Sequence, residues 1–197
     1  MTYEQDYLPI LERIRQEEAK RTDRTVPYVI AIDGRAASGK TTLAAFLAEE
    51  LDAAVVHMDD FFLPPELRTE KRYALPGANV HGERFAEEVL PFIRKKGEFS
   101  YRRFDCHQLR YDTFIPVGDT AFRIVEGSYS EHPLFGRYAD LTVFVTVSEE
   151  EQAARILRRN GEEMAAAFRE KWIPLEEAYF STFPVEENAD LVLKTDC

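Results

Sequence analysis

The stretch YVIAIDGRAASGKTTLAAFLAEEL, residues 28–51, decides how the rest of the chain is read. Its first six residues are nearly all apolar and partly β-branched, the pattern of a short strand buried on both faces of a parallel sheet. From residue 41 to 51, Leu43, Phe46, Leu47 and Leu51 recur on one side of a predicted helix. Between strand and helix, Gly34, Gly39, Lys40 and Thr41 match the phosphate-loop pattern G-x4-G-K-[ST]. Glycines let backbone N–H groups curl around a phosphate, and the helix start adds the positive end of its dipole. Lys40 then reaches the outer phosphates and the Thr41 hydroxyl ligates Mg²⁺. The loop predicts a nucleoside triphosphate with Mg²⁺, held by Gly34, Ala36, Ala37, Ser38, Gly39, Lys40, Thr41 and Thr42.

Outward from this unit, residues 53–58, 121–126, 141–147 and 191–193 repeat the strand pattern, with helical segments between several of them. Strands alternating with helices predict a parallel α/β sheet. Residues 4–21 carry Tyr7, Leu8, Leu11 and Ile14 at helical spacing and read as an amphipathic packing helix; residues 1–27 form that helix and a linker. Residues 64–118 are punctuated by Pro64, Pro65, Pro76, Gly77, Gly82 and Gly97, carry one helix over about 84–95, and have no regular sheet pattern. An insertion of that length at a sheet edge reads as an acceptor-binding feature.

The 197 residues, 45% apolar and 12% aromatic, predict one globular domain over 1–197. With 36 acids against 25 bases the formal charge is −11, so the chain offers no broad positive surface for nucleic acid, and any polyphosphate must be bound locally. Cys106 and Cys197 make neither a disulfide framework nor a metal site. No secretory leader and no membrane-spanning run is present in the sequence, so the expected location is the cytoplasm, away from membranes, with monomer or homo-oligomer left open.

Three further stretches carry acids or bases where a nucleotide crevice would lie. HMDDFF, residues 57–62, ends the second strand, and ligands of open parallel sheets sit at the carboxyl ends of strands. Asp59 and Asp60 are thus candidate neighbours of the γ-phosphate, as metal ligand, proton acceptor or solvated loop acid. Neighbours in extended chain point to opposite sides, so one of the two is expected to face the phosphates while the other faces solvent or caps the next turn. FRIVEGSY, residues 122–129, ends a third strand in Glu126, the usual place for a second Mg²⁺ anchor, followed by Gly127. In EEEQAARILRRNGEE, residues 149–163, Arg155 and Arg159 share a helix face at four-residue spacing, either closing over a transferring phosphoryl group or lying in solvent. Trp172 reads as core.

HMDDFF, IVEGSY and RILRRNG, in that order behind GRAASGKT, resemble the uridine kinase and nicotinamide riboside kinase group of phosphate-loop kinases across about residues 28–193. The resemblance implies the α/β P-loop NTPase fold: a five-stranded parallel sheet with helices on both faces and strand one central, beside the Glu126 strand. It also implies ATP and Mg²⁺ as cofactors, Asp59 as general base on an acceptor hydroxyl, Thr41 and Glu126 at the metal, and Arg155 and Arg159 on a mobile lid over 149–170. Uridine kinases hold the ribose hydroxyls with an aspartate in a D-H-P-like stretch, whereas GANVHGERF, residues 77–85, offers Val80, His81 and Gly82 there. FDCHQLRYD, residues 104–112, keeps an aromatic, Asp105, His107 and Arg110 of a second family stretch in altered spacing. Candidate acceptor-binding residues are Asp59, His81, Arg84, Tyr101, Asp105, His107 and Glu126. The implied activity is uridine kinase-like transfer of the γ-phosphoryl group of ATP to a small-molecule hydroxyl. Another riboside, a sugar or a vitamin is an alternative acceptor, and Val80 predicts uridine and cytidine to be poor ones. A nucleotide-binding regulatory protein is the alternative of another class; the chain has neither an N-K-x-D nor a D-x-x-G switch motif.

Overall fold

The alternating strands and helices close into a five-stranded sheet in the order β2-β5-β1-β6-β7, with every neighbour pair parallel. The structure, a computed structural model, describes residues 4–106 and 108–196. In chain order the elements begin α1 (Glu4–Ala19), β1 (Tyr28–Gly34), α2 (Lys40–Leu51), β2 (Ala54–His57), α3 (Glu70–Tyr73), α4 (Gly82–Glu88) and α5 (Leu90–Ile93). They continue with β3 (Phe99–Asp105), β4 (Arg110–Val117), β5 (Phe122–Glu126), β6 (Leu141–Thr146), α6 (Glu149–Ala167), α7 (Ile173–Thr182), α8 (Val185–Asn188) and β7 (Leu191–Lys194). As expected, β1 is central and pairs β5, Ile32 standing opposite Glu126.

Alternation along β1 divides the core. Tyr28, Ile30 and Ile32 pack with Leu11 and Ile14 of α1 and Leu43 and Leu47 of α2, while Val29 and Ala31 pack on the other face with Phe85, Ile93, Tyr101 and Tyr179. Each face of the sheet is thus covered by helices, which is what makes its strands apolar on both sides.

The insertion departs from expectation in two ways. The helix expected over 84–95 is two helices, α4 and α5, joined at Val89 (φ −116°), because Pro91 has no N–H to continue the α4 hydrogen-bond ladder. Residues 99–117, expected without sheet pattern, form an antiparallel hairpin of β3 and β4 with a register shift between Arg103 and Phe104. The exposed β4 has no apolar alternation to read. The hairpin is anchored from below by Arg123, fully buried on β5, whose guanidinium donates to the carbonyls of Phe92, Ile93, Lys95, Gly97 and Gly118 at 2.6–3.1 Å.

Candidate active site

The phosphate loop leaves β1 at Gly34 (φ 136°), where a Cβ would lie 2.0 Å from the Val145 carbonyl oxygen of β6; only glycine passes there. α2 begins at Lys40 with Gly39 as its N-cap and no side chain capping the first turn, so the amides of that turn are free to bind an anion. The Lys40 ammonium donates to the Gly34 and Arg35 carbonyls at 2.8 and 2.6 Å. Residues 36–42 line a crevice of about 630 Å³, which Asp59, Glu126, Arg155, Arg158 and Arg159 also reach.

β2 ends one residue earlier than expected, and residues Met58–Phe61 form a single 3-10 turn. The two acids are therefore unlike because they sit on a tight helical turn that aims successive side chains about 120° apart, rather than because of strand alternation. Asp59 opens onto the crevice while protein surrounds it elsewhere; this enclosure raises its carboxyl pKa above the usual range, against the pull of Lys40. Asp60 turns away instead of facing solvent: it accepts the Tyr101 hydroxyl at 2.7 Å, and its carbonyl accepts Arg84 at 2.6 Å.

Glu126, almost fully buried, places Oε2 3.2 Å from the Thr41 hydroxyl and Oε1 2.6 Å from Nδ1 of His57, a bond that raises the His57 pKa. Thr41 and Glu126 are two hard oxygen donors beside the phosphate loop, a set that fits Mg²⁺, whose remaining ligands are ordinarily phosphates and water. Gly127 (φ 129°) follows because a Cβ there would meet the Met58 Cβ at 2.8 Å, a close approach of protein rather than of ligand.

The expected acceptor residues scatter. Tyr101 is fully buried and stacked on Phe61 at 5.1 Å; Arg84 is buried with its guanidinium 4.4 Å over the same ring; neither lines the crevice. His81 is the N-cap of α4 and Asp105 accepts the Gln108 amide in the hairpin turn, both away from the crevice lining. His107 lies outside the described residues. Arg155 is pinned to Glu151 at 2.8 Å, to the Thr195 hydroxyl at 2.9 Å and to the Ala37 carbonyl at 3.3 Å, whereas Arg159 is held only by its neighbour Asn160 among the hydrogen bonds of the described residues. α6 breaks at Gly161 (φ 77°), two residues beyond Arg159, and passes into a π-helical segment, Phe168–Trp172, before α7.

Several residues at the crevice were missed. Glu176, buried on α7, accepts the Ala36 amide at 2.8 Å and the Ser128 hydroxyl at 3.0 Å, and burial raises its pKa. No local signal marks it, since its partner stands 140 residues earlier. Trp172 lines the crevice instead of the core, and Tyr7 brings α1 to the loop beside Gly39. Arg68, Asn79 and Cys106 line the crevice as well. Asn79 was legible as a polar residue one position before Val80: the bridge of Val80 to Phe62 buries Val80 and leaves Asn79 at the wall, a one-residue slip from the expected register.

Sheet order and loop together give the α/β P-loop NTPase fold. No family model matches the chain. Uridine kinase-like protein 4 of Arabidopsis thaliana is 22% identical over 180 residues, 85% of this chain, and the chain spans 38% of the length of that curated relative. A possible uridine kinase from Bacillus stearothermophilus superposes with a TM-score of 0.70 at 20% identity, covering 98% of this chain and 100% of that one. D-glycerate 3-kinase from Cryptococcus neoformans var. grubii superposes with a TM-score of 0.57 at 14% identity, covering 89% and 87%. These likenesses establish the fold and bear out the resemblance to uridine kinase-like P-loop kinases.

Proposed function

We propose that the chain is an ATP-dependent kinase that transfers the γ-phosphoryl group to a hydroxyl of a small molecule. The observation that carries this reading is the placement of one carboxylate, Asp59, in the crevice that the phosphate loop lines, with Asp60 tied off on Tyr101. A nucleotide acceptor would be met by arginines there; a neutral hydroxyl needs its proton accepted during transfer, and a carboxylate does that. Enclosure raises the Asp59 pKa, which makes its carboxylate a stronger base.

The remaining roles follow the geometry. Lys40 and the first-turn amides of α2 hold the outer phosphates, and Thr41 and Glu126 hold Mg²⁺, which when bound neutralises charge on the β- and γ-oxygens. Arg158 and Arg159, exposed on the crevice side of α6 before the Gly161 break, supply positive charge over the transferring group, and Arg155 braces the Ala37 end of the loop. We read 64–118 as the acceptor-binding insertion of a single kinase domain and 149–170 as its lid.

ATP turnover stimulated by an added hydroxyl compound tests the activity, since a nucleotide-binding regulatory protein would hydrolyse ATP at one rate whatever was added. Asp59→Asn keeps the shape and loses the base, so kcat falls about 10²- to 10⁴-fold with ATP binding little changed. Asp60→Asn costs at most a few-fold in kcat but lowers thermal stability, because the Tyr101 hydroxyl loses a charged acceptor. Equal losses of kcat at both positions would reject the assignment of the base.

A further inference from the structure

The lining of the crevice outside the phosphate loop is chemically lopsided. Among the described residues, the carboxylates lining the whole crevice are Asp59, Glu126 and Glu176, the first on the β2 turn and the others already bonded to Thr41 and Ala36 of the phosphate loop. Beyond them the wall is formed by aromatic and apolar side chains together with Arg68, Asn79 and Cys106. Arg68 follows the 3-10 turn Pro65–Leu67; its Nε donates to the Leu63 carbonyl at 2.8 Å, and the guanidinium lies beside the Cys106 thiol, a neutral partner that leaves its charge uncompensated. Among the described residues no carboxylate stands within ion-pair distance of it, although this chain carries eleven more negative than positive charges and pairs most of its other arginines. Asn79 is only 5% exposed; its amide lies beside the Tyr129 hydroxyl, and its Oδ1 has no hydrogen-bond partner. A buried acceptor without a donor costs free energy unless a ligand supplies one.

Resting on the kinase reading above, we propose that the acceptor is an anionic hydroxy compound, bearing a carboxylate or a phosphate that Arg68 grips and a hydroxyl donor that Asn79 receives. A guanidinium offers paired N–H donors that match the two oxygens of either anion, and its charge is permanent. A ribose diol finds the opposite of what it needs here, since among the described residues no carboxylate other than Asp59, Glu126 and Glu176 lines the crevice to accept its two hydroxyls. Arg68 and Asp59 line the same cavity as separate groups, Arg68 for the anion and Asp59 for the hydroxyl, so the group bound is not the group phosphorylated. The reaction balances without a further reagent: the acceptor oxygen bonds to the γ-phosphorus, the bond to the β–γ bridging oxygen breaks, ADP leaves, and Asp59 takes the hydroxyl proton.

The test uses two matched series with Mg–ATP: glycerol, glycerate and glycerol phosphate, then ribose, ribonate and ribose 5-phosphate. ADP release reports turnover, and fluorescence of Trp172, the single tryptophan of the chain and a crevice residue, reports binding in the presence of a non-hydrolysable ATP analogue. Within at least one series an anionic member should exceed the neutral one by about 10- to 100-fold in kcat/KM or affinity, as a charge-assisted hydrogen-bonded contact supplies. The carboxylate and phosphate arms identify the source of the anion. Arg68→Gln should erase that preference while leaving the KM for ATP and the melting temperature unchanged, and Arg68→Lys should restore part of it. Anionic probes that bind through Arg68 but release no ADP would sink the kinase reading alone. Preference for the neutral members, no response to any probe, or an anion preference that survives Arg68→Gln would overturn the proposal.

Discussion

Asp33 and Glu131 illustrate at the residue scale how the support beneath the phosphate loop is built from acids outside the crevice lining. Asp33, fully buried at the end of β1, accepts the amides of Gly34, Tyr129 and Glu131 and the Tyr179 hydroxyl, all within 3.0 Å, so it knits β1, the segment after β5, and α7 into one support for the loop. Glu131 stands beside it; burial, with the Asp33 charge second, pushes its pKa up from 4.5 to about 8. A carboxyl whose folded pKa exceeds its unfolded one favours folding when protonated. That stability is therefore present below the unfolded value and lost as pH rises from 4.5 towards about 8. Glu131→Gln removes the loss: the variant should match the parent in urea denaturation at about pH 4.5 and exceed it near pH 8.5 by on the order of 1–2 kcal/mol, discounted for the partial exposure of the side chain. An advantage of the same size at both pH values would mean that charge at Glu131 is not the cause.

At the scale of elements, one side chain, Arg123, ties both the hairpin β3–β4 and the helix α5 to the sheet. Arg123 is a buried cation with no carboxylate in ion-pair contact among the described residues; its two terminal nitrogens donate to five carbonyls from α5, the turn before β3 and the end of β4, its Nε has no partner, and the Phe99 ring lies 5.2 Å from its guanidinium carbon. Burying that charge is tolerable only because so many oxygens face it. Arg123→Leu should cost on the order of 3 kcal/mol, since apolar volume is kept but several buried carbonyls lose their donor. Amide exchange should rise first in the hairpin. A loss under about 1 kcal/mol, or exchange spread evenly over the sheet, would show that the hairpin is held by Tyr101 and Val117 packing instead. The sequence marked Arg123 only as a charge inside an apolar strand; its partners come from three other segments, so no local pattern reveals the clamp.

For the molecule as a whole, five cations against three carboxylates around the crevice, on a chain of net charge −11, concentrate positive potential where a polyphosphate must sit. A non-hydrolysable ATP analogue with Mg²⁺ at about a hundred times its Kd should stabilise the fold by about 2.7 kcal/mol, and Lys40→Met should retain the ligand-free melting temperature while losing most of that increment. Equal shifts in both proteins would place the triphosphate elsewhere. None of the helices among the described residues is long and apolar enough to cross a membrane. Read alone, the sequence determined the parallel sheet, its strands to within a residue or two, the loop between β1 and α2, and the neighbourhood of Asp59 and Glu126. Each of those is written in contiguous residues, as an apolar run, a glycine pattern or an acid at a strand end, because backbone hydrogen bonding and burial impose local periods. Tertiary structure alone decided that Asp60 serves Tyr101, that Val80 packs into the core and Asn79 lines the crevice, that Glu176 reaches the loop from the last long helix, and that Arg68 is left without an acid. Those outcomes depend on which distant side chain arrives at 3 Å, a matter of how the two faces of the sheet are covered rather than of any period along the chain.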